Sequence, residues 1–135
     1  MAYPIKDIEG IGPVYGEQLS AAGITNTRQL LEQCGGRSGR KRVAAQTGIS
    51  EKRLLEWANL ADLMRIDGIG PQYSELLEAA GVDTIKELRQ RNAANLAAKM
   101  RETFESKRLT RAAPGEQRIA GWIAAAQSMT PTITH

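Results

Sequence analysis

Apolar residues in this chain recur mainly at intervals of three and four, the spacing that produces one apolar face on a helix. Two segments show this most clearly, and each carries a tryptophan at i+3 of an i, i+3, i+4, i+7 pattern: Leu54, Trp57, Ala58 and Ala61 in one, and Ile119, Trp122, Ile123 and Ala126 in the other. Runs with the two-residue period of a strand are absent, and aromatic residues make up only 4% of the chain. The sequence therefore predicts an all-α protein with both tryptophans in its core.

One segment of the chain occurs twice, as residues 8–24 and again as residues 66–82. Both copies contain Gly-Ile-Gly-Pro, a tyrosine two residues later, and then Ala-Ala-Gly followed by a branched aliphatic residue. Self-similarity of this length indicates an internal duplication. We name the two Gly-Ile-Gly-Pro segments turn A (residues 10–13) and turn B (residues 68–71). Glycine permits the tight turn, the isoleucine is expected to point into the core, and the proline is expected to begin a helix.

The duplication also predicts how the chain is divided. Residues 1–62 would form a first unit and residues 63–129 a second, while residues 130–135 are expected to be a disordered tail. Each unit would contain a glycine turn, a short helix, a variable connection and a tryptophan-bearing helix. We expect Asn26, Ser50 and Thr84 to be N-caps, because their side chains can accept hydrogen bonds from the first turn of a helix. No low-complexity linker separates the units, so we expect one compact body with approximate two-fold symmetry around a shared core.

The repeated pattern resembles the helix-hairpin-helix motif, which has aliphatic, glycine and small residues at fixed spacing. The positions that fill it are Ile8, Gly10, Ile11, Gly12, Gly16, Leu19, Gly23 and Ile24 in the first copy, and Ile66, Gly68, Ile69, Gly70, Ser74, Leu77, Gly81 and Val82 in the second. Over nearly its whole length the chain also resembles a small bacterial family of unknown function. The resemblance implies two tandem helix-hairpin-helix units packed as one pseudo-two-fold helical domain.

The resemblance also implies a function, because helix-hairpin-helix turns aim backbone N–H groups at nucleic-acid phosphates. The N–H groups at a helix N-terminus lack intrahelical partners and form an anion site with the helix dipole. Two such turns would bind the two strands of a duplex without reading its sequence. The candidate residues for this contact are Gly10, Ile11, Gly12, Gly68, Ile69 and Gly70.

The charge pattern points to a second candidate surface. The chain has a net charge of +3, yet the neighbourhoods of both turns, residues 5–19 and 63–78, each carry a net charge of −2. Positive charge is concentrated instead in residues 37–53, with a net +5, and in residues 99–118, with a net +3. Phosphate affinity depends on lysine and arginine. The densest basic run therefore supplies four further candidate contacts: Arg37, Arg40, Lys41 and Arg42.

Few residues are available for chemistry. The chain has a single histidine, His135, at its end and a single cysteine, Cys34, which excludes an internal disulfide. No metal-ligand spacing and no phosphate-binding loop of the Walker type is present. We therefore expect a non-enzymatic, cytoplasmic protein with no cofactor, no small-molecule substrate and no membrane association. Two functions stay open: sequence-independent binding of double-stranded nucleic acid, and a protein-interaction or scaffold role that retains the fold without binding phosphate.

Overall fold

The computed structural model describes residues 2–107 and 112–135, and every regular element in these ranges is helical. A single turn of 3-10 helix at Ile5–Asp7 precedes eight α-helices, whose bounds are α1 Pro13–Ala21, α2 Thr27–Cys34, α3 Arg37–Thr47, α4 Glu51–Leu63, α5 Pro71–Ala79, α6 Ile85–Leu88, α7 Ala93–Lys107 and α8 Glu116–Gln127. The all-α prediction is confirmed. Arg108 and Arg111, which belong to the second basic segment, lie outside the described residues.

Local signals set most of the helix boundaries. Pro13 and Pro71 are the first residues of α1 and α5, as predicted. All three expected N-caps form: the side chain of Asn26 accepts the N–H of Gln29 at 2.9 Å, that of Ser50 accepts the N–H of Arg53 at 3.2 Å, and that of Thr84 accepts the N–H of Glu87 at 3.3 Å. The basic run is helical, because residues 37–42 form the first half of α3.

Buried apolar side chains form two clusters, in contrast to the single shared core that the sequence predicts. One cluster contains Trp57 and extends from Ile5 to Met64, whereas the other contains Trp122 and extends from Leu63 to Ala126. Helix α4 explains why the buried side chains divide into two clusters. It packs against α2 and α3, and its C-terminal end leads to α5. Each tryptophan is 3% exposed, so the prediction that both lie in the core is confirmed.

The chain termini cross between the two clusters. Near the N-terminus, Tyr3 and Ile5 form backbone hydrogen bonds with residues 25–27, and the ring of Tyr3 lies beside Gly70 of turn B. At the other end, residues 130–134 return to the first cluster, where Ile133 packs. None of the helices in the described part of the chain is both long and apolar enough to cross a membrane.

Residues 130–134, for which the sequence predicts disorder, form hydrogen bonds with distant parts of the chain. The hydroxyl of Thr132 donates to Oδ1 of the buried Asp62 at 3.1 Å, and the N–H of Thr134 donates to the carbonyl of Gly35 at 2.9 Å. The guanidinium of Arg40 donates to the carbonyl of Thr134. These partners are far from the tail in sequence, so its polar composition gave no sign of them.

Candidate functional site

Turns A and B have the same backbone geometry, and the fold itself requires the first glycine of each. Gly10 and Gly68 have φ angles of +93° and +95°, values that L residues rarely adopt. A Cβ on Gly10 would lie 3.4 Å from Nε1 of Trp57, and a Cβ on Gly68 would lie 3.2 Å from Nε1 of Trp122. These glycines therefore let each turn pass close to the tryptophan of its own cluster.

The isoleucine inside each turn serves the fold as well. Ile11 is 5% exposed and Ile69 is fully buried, and each belongs to its own apolar cluster. Their side chains anchor the turns, as the sequence predicts. Any contact from these residues to a ligand would therefore involve the backbone alone.

The second glycine of each turn has no comparable structural reason. Gly12 and Gly70 are the N-caps of α1 and α5, with φ angles of −83° and −94° that other residues adopt freely. A Cβ on Gly12 would meet no atom within 4 Å, and a Cβ on Gly70 would make ordinary contact with the hydroxyl of Tyr3 at 3.6 Å. Neither residue offers a side chain to cap its helix, although Ser, Asp or Asn at an N-cap stabilises a helix by about 1 kcal/mol. The first N–H groups of both helices are left without a side-chain acceptor from the cap.

A column of three side chains stands beside each turn. The rings of Tyr15 and Trp57 pack edge to face with centroids 5.2 Å apart, and the guanidinium of Arg53 lies 5.1 Å from the centroid of the tyrosine ring. We call this set column A (Arg53, Tyr15, Trp57). The ring of Tyr15 thus contacts both a buried tryptophan and an exposed arginine.

Column B (Arg118, Tyr73, Trp122) repeats the arrangement beside turn B. The ring centroids of Tyr73 and Trp122 are 5.4 Å apart, and the guanidinium of Arg118 lies 5.6 Å from the centroid of the tyrosine ring. Arg118 also donates a hydrogen bond to the tyrosine hydroxyl at 3.0 Å. Neither arginine is among the contacts predicted from the sequence. The sequence does contain a sign of these contacts, since in each unit an arginine lies four residues before the tryptophan.

The basic run on α3 is a smaller surface than the sequence suggests, because Arg40 is buried. Its guanidinium donates to the carbonyls of Cys34 at 3.0 Å and Gly35 at 2.9 Å, as well as to Thr134 in the tail. Arg40 is 3% exposed and therefore unavailable for phosphate contact. Arg37, Lys41 and Arg42 are exposed.

Acidic residues surround turn B more closely than turn A. A cleft of about 440 Å³ next to Gly70 is lined by Asp7, Glu9 and Glu75, together with Tyr73. Burial, and then the nearby carboxylate of Glu9, raises the pKa of Glu75. Beside turn A the surrounding charges are mixed instead: a smaller cavity there is lined by Lys6 and Glu17 with Ile11, Gly12 and Pro13.

The single cysteine is held in an environment that suppresses its reactivity. Cys34 is fully buried, and burial raises the pKa of its thiol to about 11 against the opposing effect of Arg40 and Arg42. Because the thiolate is the reactive form, this residue is a packing element of the first cluster. Among the described residues, no group of three His, Cys, Asp or Glu side chains is placed to hold a metal ion.

Comparison with known proteins places the chain in a family. A family model described as Domain of unknown function (DUF4332) matches residues 9–129, which include both turns and both columns. The chain belongs to this family. The match to DUF4332 covers residues 9–24 of the first copy and the whole of the second, while residues 130–134 lie beyond it. No curated protein and no solved structure matches the chain.

Proposed function

We propose that this DUF4332 protein is a non-enzymatic protein with a tandem helix-hairpin-helix architecture, and that it binds double-stranded nucleic acid without sequence preference. In this proposal the backbone N–H groups that follow Gly12 and Gly70 bind phosphates. The two units are related by an approximate two-fold, so that each turn contacts one strand. The exposed basic side chains of α3 add electrostatic attraction.

The observation that carries the proposal is the recurrence of glycine at positions 12 and 70. Neither position needs glycine for its φ angle, and neither is crowded by the protein's own atoms. A Cβ there would instead project beside the uncapped N-terminus of a helix, where an anion would approach. Close approach of a ligand to the backbone is a main reason for glycine where conformation does not demand it.

The proposal is tested by titrating fluorescently labelled duplex and single-stranded DNA with the protein and following anisotropy at low and moderate salt. We expect binding to duplexes of unrelated sequence, weakening steeply with salt. Non-specific binders reach dissociation constants of about 10⁻⁴ to 10⁻⁶ M at physiological salt. Absence of binding below about 100 μM even at low salt would therefore refute the proposal.

A glycine double variant tests the mechanism. Gly12→Ala with Gly70→Ala should retain the fold, since the added methyl groups meet no crowded atoms, but should weaken DNA binding. The matched control is Gly36→Ala at the N-cap of α3, which has a φ angle of −94° and open space for a Cβ but belongs to neither turn. Equal affinity of the double variant and this control would exclude the backbone amides as the phosphate contact.

A second candidate function, interaction with a protein partner, is favoured by the acidic cleft beside turn B. Asp7, Glu9 and Glu75 line this cleft, and Val14 of α1 is 69% exposed. Such a surface suits a basic segment of a partner. Saturable binding of a labelled oligo-lysine peptide, reduced by Asp7→Asn with Glu9→Gln, in a protein that does not bind DNA would support this role in place of the first.

A further inference from the structure

We infer that Arg53 and Arg118, each held on its tyrosine ring, are the side chains that contact the phosphodiester backbone beside turns A and B. This inference rests on the proposed nucleic-acid function and names the cations that the function needs. Neither turn has a lysine or arginine after Gly-Ile-Gly-Pro, where Val14-Tyr15 and Gln72-Tyr73 stand instead. The folded chain supplies a positive charge at the same place from a different helix.

The position of each tyrosine brings the guanidinium close to its turn. Tyr15 is the third residue of α1 and Tyr73 is the third residue of α5, so both rings belong to the first turn of a helix whose N-cap is Gly12 or Gly70. Arg53 and Arg118 come from α4 and α8, the tryptophan-bearing helices. A guanidinium stacked on these rings therefore lies beside the helix N-terminus that follows the turn.

Both guanidiniums are ready to bind an anion. Each arginine is exposed, and no carboxylate among the described residues forms an ion pair with either one. Three other arginines are already engaged: Arg65 pairs with Asp62, Arg91 pairs with Glu87, and Arg40 is buried against carbonyls. A phosphate at column A or column B would thus be the first anionic partner of its arginine.

Stacking on the tyrosine also reduces the cost of binding. A free arginine side chain loses rotamer entropy when it is fixed. In each column the ring restricts the side chain before any ligand arrives, and the buried tryptophan restricts the ring. The planar guanidinium keeps its outer N–H groups for bidentate contact with phosphate.

The recurrence of this geometry is independent evidence for a role beyond packing. The segments Arg53-Leu54-Leu55-Glu56-Trp57 and Arg118-Ile119-Ala120-Gly121-Trp122 share only the arginine, an aliphatic residue after it and the tryptophan. A cation–π contact at an exposed site stabilises a fold only slightly. That small gain is a weak reason for two diverged segments to hold an exposed arginine at the same place.

The two columns should contribute unequally, because their surroundings differ in charge. Lys6 and Glu17 give the cavity beside turn A a mixed charge, whereas the cleft beside turn B is lined by Asp7, Glu9 and Glu75. These carboxylates repel a phosphate that approaches Arg118. Arg53 is therefore expected to be the stronger contact.

The test compares two double variants that remove the same positive charge from exposed arginines. Arg53→Gln with Arg118→Gln should weaken duplex binding several-fold and reduce the slope of log affinity against log salt by about 2, close to one unit for each lost phosphate contact. Arg37→Gln with Arg42→Gln, on α3, should have a smaller effect on both quantities. Arg53→Lys with Arg118→Lys keeps the charge but loses the planar stacking group, so its affinity should fall between those of wild type and the glutamine variant.

The outcomes separate this inference from the proposed function. No binding by the wild-type protein would refute both. Binding by the wild type that falls no further in the Arg53/Arg118 variant than in the Arg37/Arg42 variant would overturn the inference and leave the proposed function standing. Thermal unfolding of each variant shows whether the fold is retained, and a larger loss from Arg118→Gln alone than from Arg53→Gln alone would contradict the predicted asymmetry.

Discussion

The buried carboxylate of Asp62 accepts a hydrogen bond from the backbone N–H of Ile85 at 2.8 Å. It thereby connects the end of α4 to the start of α6. Its other oxygen accepts bonds from Arg65 at 3.0 Å and from the hydroxyl of Thr132 at 3.1 Å. One side chain thus joins three parts of the chain. Several measurable consequences follow from this residue and from the two turns.

Asp62→Ala should lower the free energy of unfolding by about 2–3 kcal/mol, because a buried donor that loses its partner costs about 1–3 kcal/mol. Asp62→Asn retains one carbonyl acceptor and should have a smaller effect. Chemical denaturation measures both. Asp67→Ala, at an exposed aspartate beside turn B, is the control and should stay within about 0.5 kcal/mol of wild type. Equal stability of the Asp62 and Asp67 variants would show that Asp62 does not join the parts of the fold.

The two glycines of each turn should respond differently to alanine. Gly68→Ala should destabilise the protein by about 1–2 kcal/mol, because a left-handed conformation costs an L residue that much. Gly10→Ala should cost somewhat less, since the nearest tryptophan nitrogen is 3.4 Å away rather than 3.2 Å. Gly12→Ala should cost less than about 1 kcal/mol, since alanine is a poorer N-cap than glycine but its Cβ meets no atom within 4 Å there. A loss at Gly12 as large as that at Gly68 would mean that the fold, and not a ligand, requires glycine there.

Release of the C-terminal tail should expose Cys34 to modification. Ile133→Asp places a charge against the first apolar cluster and should free residues 130–134, which removes the tail carbonyl from Arg40 and loosens the segment around Cys34. The expected result is faster reaction of this single thiol with a thiol reagent under native conditions. Thr134→Ala is the control, because Thr134 contributes only backbone atoms to the docking bonds described above. Identical rates for wild type and Ile133→Asp would contradict this coupling.

Stability should depend on pH through Glu78 of α5. Burial, and then the neighbouring carboxylates of Glu56, Asp83 and Glu75, raises the pKa of Glu78 above its ordinary value of 4.5. The folded protein therefore binds this proton more tightly than the unfolded chain, so the charged form destabilises the fold at neutral pH, and the penalty disappears as pH falls from the raised pKa through 4.5.

Glu78→Gln should accordingly raise the melting temperature at neutral pH, and the gain should vanish in acid below the ordinary glutamate pKa. Thermal unfolding across this range measures the difference. Glu102→Gln, at an exposed glutamate of α7, is the matched control and should change the melting temperature little at any pH. A gain for Glu78→Gln that persists unchanged in acid would indicate a cause other than ionisation.

Sequence reasoning succeeded where the deciding interactions are local. Asn26, Ser50 and Thr84 begin helices because each side chain reaches an N–H only three residues ahead. Gly23 and Gly81 follow α1 and α5 with φ angles of +83° and +97°, as expected of glycines after a helix end. The two apolar faces with tryptophan were also readable, because their periodicity lies within a single helix.

Prediction from the sequence failed where contacts join distant parts of the chain. The basic run at residues 37–42 carries no mark that separates Arg40 from its neighbours, yet carbonyls at the end of α2 and in the tail enclose that one guanidinium. Likewise, no lysine or arginine directly follows either turn in the sequence. Arg53 instead reaches Tyr15 from a helix 38 residues further along the chain.

The sequence by itself determined that the protein is all-α, that it contains a duplicated glycine turn, and where most helices begin and end. Short-range hydrogen bonds and periodic burial specify these features, so a few neighbouring residues suffice to predict them. Only the tertiary structure decided that the core has two clusters, that the tail docks on Arg40 and Asp62, and that an arginine stands beside each turn. Those features depend on which surfaces meet when helices pack, and packing brings together side chains whose separation in sequence carries no periodic signal.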